Sequence, residues 1–140
     1  MVSALDVSIQ GQILNLLIDL RSRRESSQRE ISFLFIAHDL KVASYFCDRI
    51  GVMYRGEIME EAPATELWKN HLHPYTELLF SSVGGTSGEY PGTPMTVETG
   101  LQADEGCAFV SRCPYAKDIC FREKPLLREA SPGHLLRCQR

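Results

Sequence analysis

No run of apolar residues in this sequence approaches the roughly 20 needed to cross a bilayer as a helix, and Met1-Val2-Ser3-Ala4-Leu5-Asp6 lacks the basic and apolar regions of a secretory signal peptide. A cytoplasmic chain is therefore expected, with any membrane association made through a protein partner. There is no internal repeat. Clustered basic residues interleaved with aromatics are also missing: the arginines of the C-terminal stretch are scattered, and only Phe109, Tyr115 and Phe121 are available there to stack on bases. No nucleic-acid partner is expected.

What is present is the composition of an ordinary globular protein, with 44% hydrophobic and 24% charged residues. At 140 residues there is room for one domain, or for a small domain with an appended module. Charge is unevenly divided. Residues 1–106 hold 8 Lys and Arg against 15 Asp and Glu, whereas 107–140 hold 7 against 3. Such a split suggests two parts with different work to do.

The apolar run Ile31-Ser32-Phe33-Leu34-Phe35-Ile36-Ala37 is rich in β-branched and aromatic residues and shows no polar alternation apart from Ser32. It predicts a strand covered on both faces, as in a parallel sheet. His38 follows at its carboxyl end, the edge of an open α/β sheet where ligands bind. A lone histidine there would also suit a purely structural imidazole. Upstream, Ile9, Ile13, Leu16, Leu17 and Leu20 recur at helical spacing behind Asp6 or Ser8 as N-cap, which gives helix, turn and strand in the order of an α/β unit.

After His38, Leu40 to Cys47 predicts a short helix favoured by Asp39 at its start. The segments 48–54 and 57–61 flank Arg55-Gly56 and predict a hairpin. A helix capped by Thr65 follows, is broken at His71-Leu72-His73-Pro74, and gives way to another over 75–83. Residues 84–106, with six Gly and two Pro, read as a linker.

Four of the five cysteines fall in the last 34 residues, as Cys107, Cys113, Cys120 and Cys138 with spacing C-x5-C-x6-C-x17-C. Disulfides are disfavoured in a reducing compartment, so clustered thiols point to metal. Four thiolates suit tetrahedral zinc or a cubane iron–sulfur cluster. The absence of a C-x2-C knuckle leans toward iron–sulfur, while zinc and free thiols stay open. Cys47, on an apolar helix, reads as a small core residue. A 34-residue module with few apolar residues could not fold on its own core, and ligation would supply the missing stability. A structural role and a redox-sensing one are equally compatible with this pattern.

Taken together, Ser3-Ala4-Leu5-Asp6, an amphipathic helix, an apolar strand ending in His38-Asp39-Leu40, then Asp48-Arg49-Ile50 and a Gly-Glu hairpin resemble the C-terminal half of an ABC transporter ATPase domain. Leu72-His73-Pro74-Tyr75-Thr76 with Leu79, and the tail with Arg112-Cys113-Pro114 and His134 ahead of Cys138, are similar to the ATP-binding subunits of oligopeptide and dipeptide importers. The resemblance implies an α/β fold: a partial P-loop ATPase domain over 1–83, a linker over 84–106 and a cysteine-rich metal-binding tail over 107–140. It implies that Ser3 and Asp6 lie in the loop that crosses the ATPase dimer and couples the nucleotide sites, and that His38 is the catalytic histidine contacting the γ-phosphate and orienting water. It further implies ATP and Mg²⁺ as cofactors of the complete protein, a possible [4Fe-4S] cluster on Cys107, Cys113, Cys120 and Cys138, a second ATPase subunit, and transmembrane permease subunits. The chain would then be cytoplasmic and peripheral on the inner face of the membrane. His134 is taken as structural or as supporting a ligand.

The sequence departs from that family in containing no Gly-x-x-x-x-Gly-Lys-[Ser/Thr] phosphate loop, no Leu-Ser-Gly-Gly-Gln signature and no Walker B acidic strand end. The expectation is a C-terminal portion that couples ATP hydrolysis to peptide uptake only within the complete protein and is inactive alone. The alternative is a stand-alone cysteine-site module built on a non-hydrolysing ATPase remnant. Either way, Ile31–Ala37 without its sheet neighbours would expose apolar faces and invite association.

Overall fold

The hairpin expected around Arg55-Gly56 forms, and it seeds the sheet found among the described residues, which in this computed structural model are 7–22, 31–83 and 105–140. Strands β1 (Arg49–Tyr54) and β2 (Glu57–Pro63) run antiparallel, with Ile50 opposite Ala62 and Val52 opposite Glu60. Arg55 and Gly56 have φ of 48° and 82°. A two-residue turn with positive φ at both positions twists in the same sense as the strands it joins. Glycine occupies the second at no steric cost.

The tail completes this sheet. Strand β4 (His134–Leu136) pairs antiparallel with β2, and β3 (Arg128–Ser131) pairs antiparallel with β4, giving the order β1-β2-β4-β3. Arg49 fastens the far end: it contacts the Glu61 carboxylate at 3.1 Å and donates to the Gly133 carbonyl at 2.9 Å. The expected parallel sheet is corrected here. Ile31–Ala37 forms no strand, and Leu34 and Ile36 are 92% and 90% exposed. A strand needs neighbours to take up its amides and carbonyls, and the strands described pair with one another within 49–136.

The chain divides into two compact units, residues 1–38 and 39–140. In the first, α1 (Val7–Ser22) bears out the expected helix; Leu14 is buried, whereas Ile13, Leu16 and Leu20 of the expected apolar stripe are exposed. Ser8 lies within that helix rather than before it, while Ser3 and Asp6 fall outside the described residues, as does most of the expected linker.

In the second unit, α2 (Leu40–Phe46) starts where Asp39 Oδ1 accepts the backbone N–H groups of Lys41 and Val42 at 2.8 and 3.3 Å, so the residue expected to favour the helix start does so as its N-cap. Helix α3 (Ala64–Lys69) starts one residue before the expected Thr65 cap, directly off β2. Its first amide, on Ala64, donates to the Asp48 carbonyl at 2.9 Å, so no side-chain cap is required. Helix α4 (Pro74–Val83) begins with proline, whose missing N–H costs nothing in a first turn.

Two apolar clusters flank β2. Ile50, Val52, Ala62, Ala64, Leu67 and Phe80 form one, with Cys47 packed against it as expected of a core thiol. Met59, Cys107, Phe109 and Val110 form the other, and Tyr75 packs against both. Among the described residues no helix is long and apolar enough to cross a membrane.

Between the clusters lies Glu60, fully buried. Its Oε1 accepts the Leu72 N–H at 2.6 Å and faces His134 Nε2 at 2.7 Å, while Oε2 accepts the His73 N–H at 3.0 Å. One carboxylate thus joins β2, the turn into α4 and β4. Glu60→Ala would leave these buried donors without an acceptor, and removing one partner from a buried charged network costs about 3–5 kcal/mol. A fall of that size in urea-unfolding free energy is expected, with a smaller loss for Glu60→Gln, which keeps one acceptor oxygen.

Candidate metal centre

Cys107 and Cys113 bracket a short 3-10 turn, Val110–Arg112, whose geometry is fixed by backbone bonds from Val110 N to Cys107 O and from Cys113 N to Val110 O, at 3.0 and 3.2 Å. Helix α5 (Asp118–Arg122) carries Cys120, and its carbonyl accepts the Cys107 N–H at 2.8 Å. Cys138 lies two residues past the end of β4, and its Sγ accepts the Arg140 N–H at 3.4 Å. Gly106 makes the close approach of the first two segments possible: a Cβ there would sit 2.5 Å from the Cys120 carbonyl oxygen and 2.8 Å from that of Phe121.

The consequence is that Cys107, Cys113, Cys120 and Cys138 line one cavity of about 20 Å³. His73, Phe109, Tyr115, Lys117 and Arg140 also border it. That volume holds a species about the size of one water. Phe109, fully buried, anchors the cysteine loop, with its ring 5.3 Å from those of Tyr54 and Tyr75 and 5.9 Å from that of His73. Burial pushes the Cys107 thiol up from its usual range and the Cys113 thiol to about 11, and the neighbouring cysteines push in the same direction. In the metal-free state these two are neutral thiols at pH 7. Among the described residues, no three His, Cys, Asp or Glu side chains converge tightly enough to hold a metal ion in the conformation seen.

The cavity gathers four sulfurs from three segments, two cationic side chains, Lys117 and Arg140, and a buried imidazole with an unpartnered nitrogen. That imidazole was missed in the sequence, where His71-Leu72-His73-Pro74 reads only as a helix break. His73 is 1% exposed; its Nδ1 accepts the Tyr75 N–H at 3.0 Å, and its Nε2 is buried with no hydrogen-bond partner among the described residues. Burial lowers its pKa to about 4 against the pull of Glu60. His134, expected to be structural or supporting, is held by Glu60. His38 lies exposed at a bend in the other unit.

Comparison with known proteins bears on the whole chain. Residues 59–120 match the family profile described as the oligopeptide/dipeptide transporter C-terminal region, a span that includes Glu60, His73 and three of the four tail cysteines. The chain is 41% identical over 98% of its length to the oligopeptide transport ATP-binding protein AppF of Bacillus subtilis, covering 42% of that protein. It is 40% identical to a probable peptide ABC transporter ATP-binding protein of Sinorhizobium fredii and 41% identical to a putative peptide import ATP-binding protein of Brucella ovis, covering 99% of this chain in both cases and 41% and 44% of those proteins. The chain therefore spans less than half the length of these relatives.

The low pKa of His73 sets a pH dependence. The folded ring stays neutral down to about pH 4, whereas the unfolded ring takes up a proton below the ordinary histidine value of 6.5. Between these values the unfolded state binds more protons, so stability falls as pH falls. The metal-free chain is expected to lose on the order of 3 kcal/mol from this group across the window, read as a falling thermal midpoint whose slope flattens in His73→Asn. Gly106→Ala is expected to cost about 1–3 kcal/mol by overpacking against backbone, measurable in the same melts.

Proposed function

We propose that the chain is the C-terminal region of an oligopeptide/dipeptide ABC transporter ATP-binding subunit and serves an importer in which ATP hydrolysis drives peptide uptake. The observation that carries this reading is the 41% identity running along 98% of the chain, and not over an isolated motif. In this reading residues 1–83 are the ATPase portion. Ser3 and Asp6 couple the two nucleotide sites across a dimer, and His38 acts at the γ-phosphate. The partners are a second ATP-binding subunit and transmembrane permease subunits, which hold the protein at the inner face of the membrane.

ATP and Mg²⁺ belong to the complete subunit. The sequence has no Gly-x-x-x-x-Gly-Lys-[Ser/Thr] loop, and of the three nucleotide-site residues only His38 is among those described. The phosphate cradle and the magnesium ligands would thus come from other sequence. In a complete subunit containing this region, His38→Ala is expected to lower ATP turnover and peptide uptake by at least tenfold while nucleotide still binds, since the imidazole acts on charge developing in transfer. Equal uptake by the variant would overturn its assignment.

The tail is read as a metal centre, with a [4Fe-4S] cluster as the occupant and zinc as the competing one. Four cysteines bordering a single cavity carry this part. Cys107, Cys113, Cys120 and Cys138 would be the ligands, each surrendering its proton on binding. Such a cluster supplies one-electron chemistry and a rigid cross-link. The residues present hold the loop ends together, exclude water through Phe109 and place Lys117 and Arg140 beside the thiolates. Anaerobically purified chain is expected to contain about four iron and four sulfide per molecule, with thiolate-to-iron absorption that is lost in Cys113→Ser. Stoichiometric zinc without sulfide would replace the cluster by the competing ion.

A further inference from the structure

We infer that Cys107 and Cys120 are a peroxide-sensitive dithiol pair that closes to a disulfide when the tail holds no metal. The inference goes beyond the metal reading and stands without it, because it needs two sulfurs in place of four.

Backbone geometry selects the pair. The Cys107 N–H donates to the Cys120 carbonyl at 2.8 Å. Such a bond places the two Cα atoms about 5–6 Å apart, and a disulfide spans Cα atoms roughly 4.4–6.8 Å apart. The two segments are in close contact on either side of that bond: a Cβ on Gly106 would sit 2.5 Å from the Cys120 carbonyl oxygen. Both cysteines border the same cavity of about 20 Å³, so their side chains turn to one side of the paired backbone. A space that holds one water leaves the sulfurs a short way to close. The other two are tied elsewhere: the Cys113 amide donates to the Val110 carbonyl, and the Cys138 sulfur accepts the Arg140 N–H. All four are free thiols in this structure.

Exposure assigns the roles. Cys107 is 7% exposed, whereas Cys120 is half-buried on α5 between the exposed Ile119 and Phe121. Cys120 therefore meets a small oxidant such as hydrogen peroxide first. Its sulfur attacks one peroxide oxygen: the S–O bond forms, the O–O bond breaks, and the departing hydroxide takes the thiol proton and leaves as water. The Cys107 sulfur then attacks the Cys120 sulfur. The S–S bond forms as the S–O bond breaks, and the hydroxyl leaves with the Cys107 proton as a second water. Two thiols together lose two electrons, and one peroxide is reduced to two waters. Burial keeps the Cys107 thiol neutral and slows its attack, but holding it beside its target makes the step intramolecular. The disulfide withdraws two of the four sulfurs from the cavity and leaves Cys113 and Cys138, so peroxide and any metal shared by all four compete for the tail.

The link can be read directly, because Arg112, Lys117, Arg122 and Arg137 put the four tail cysteines in separate tryptic peptides. The full chain, reduced and stripped with a chelator, would be treated with stoichiometric hydrogen peroxide, alkylated, digested without reductant and mapped by mass spectrometry. Cys107–Cys120 is expected as the dominant link, formed at least about tenfold faster in the folded chain than in urea. The thermal midpoint is expected to rise by roughly 10 °C on oxidation and to return on reduction. Cys113→Ser is expected to link as the parent does, while Cys107→Ser stops at a sulfenic acid on Cys120 that a dimedone reagent traps. A dominant link between any other pair, equal rates in the folded chain and in urea, or oxidation to sulfinic acid without a cross-link would each overturn the inference. Metal analysis of the same preparation before stripping tests the metal reading separately. A chain that carries no metal and forms this link removes that reading alone; a chain that carries metal but does not link once stripped removes this inference alone.

Discussion

The carboxylate of Glu60 is the constraint on which the larger unit depends. It sits at zero exposure and faces three groups from two places: Leu72 and His73 in the turn before α4, and His134 on β4. A buried carboxylate is expensive, and its desolvation is repaid only if nearly every lone pair is used. Here two backbone amides and an imidazole use them. The interaction is therefore poor evidence of added stability and good evidence of specified geometry. An apolar residue at position 60 would leave the His73 turn without its template and β4 without its register mark.

That template acts on the chemistry of the cavity. Because Glu60 fixes the His73 backbone and Tyr75 fixes Nδ1, the orientation of the ring is decided before anything occupies the cysteine site. The two thiols whose shifts are clearest, Cys107 and Cys113, are both held neutral by burial. In the metal-free tail these two thiols therefore add no negative charge to the pocket. Ligation would exchange those protons for a cation and place negative charge beside Lys117, Arg140 and the imidazole.

Local signals in the sequence translate well into this structure. The hairpin at Arg55-Gly56 is written in two residues and the helix start at Asp39 in three, because each is decided by backbone geometry over a few positions, whereas Pro74, read as a break, is in fact the first residue of α4. The four tail cysteines singled out in the sequence all border one cavity. Glu60 and His134 are 74 residues apart, and neither carries a local signal. Glu60 reads as one of several acids in an exposed-looking hairpin, Glu57-Ile58-Met59-Glu60-Glu61. Its burial arises only when β4 arrives beside β2. Ile31–Ala37 fails in the opposite sense: its composition favours a strand, but a ladder needs partners, and composition does not supply them.

The uneven cysteine spacing has a structural account in the same terms. Cys107, Cys113 and Cys120 belong to one local knot, tied by the Cys107 amide on the Cys120 carbonyl and packed on Phe109. The 17 residues before Cys138 contain β3, its turn at Gly133 and β4, so the gap is the length of a hairpin and not slack. Cys138 reaches the cavity only because Leu136 is paired with Glu60 and the Arg137 amide donates to the Met59 carbonyl at 2.8 Å. Closing the fourth sulfur onto the other three and docking β4 on the sheet are consequently one event. Any ligand that all four share must stabilise the β2–β4 pairing and the Glu60–His134 contact along with the tail itself.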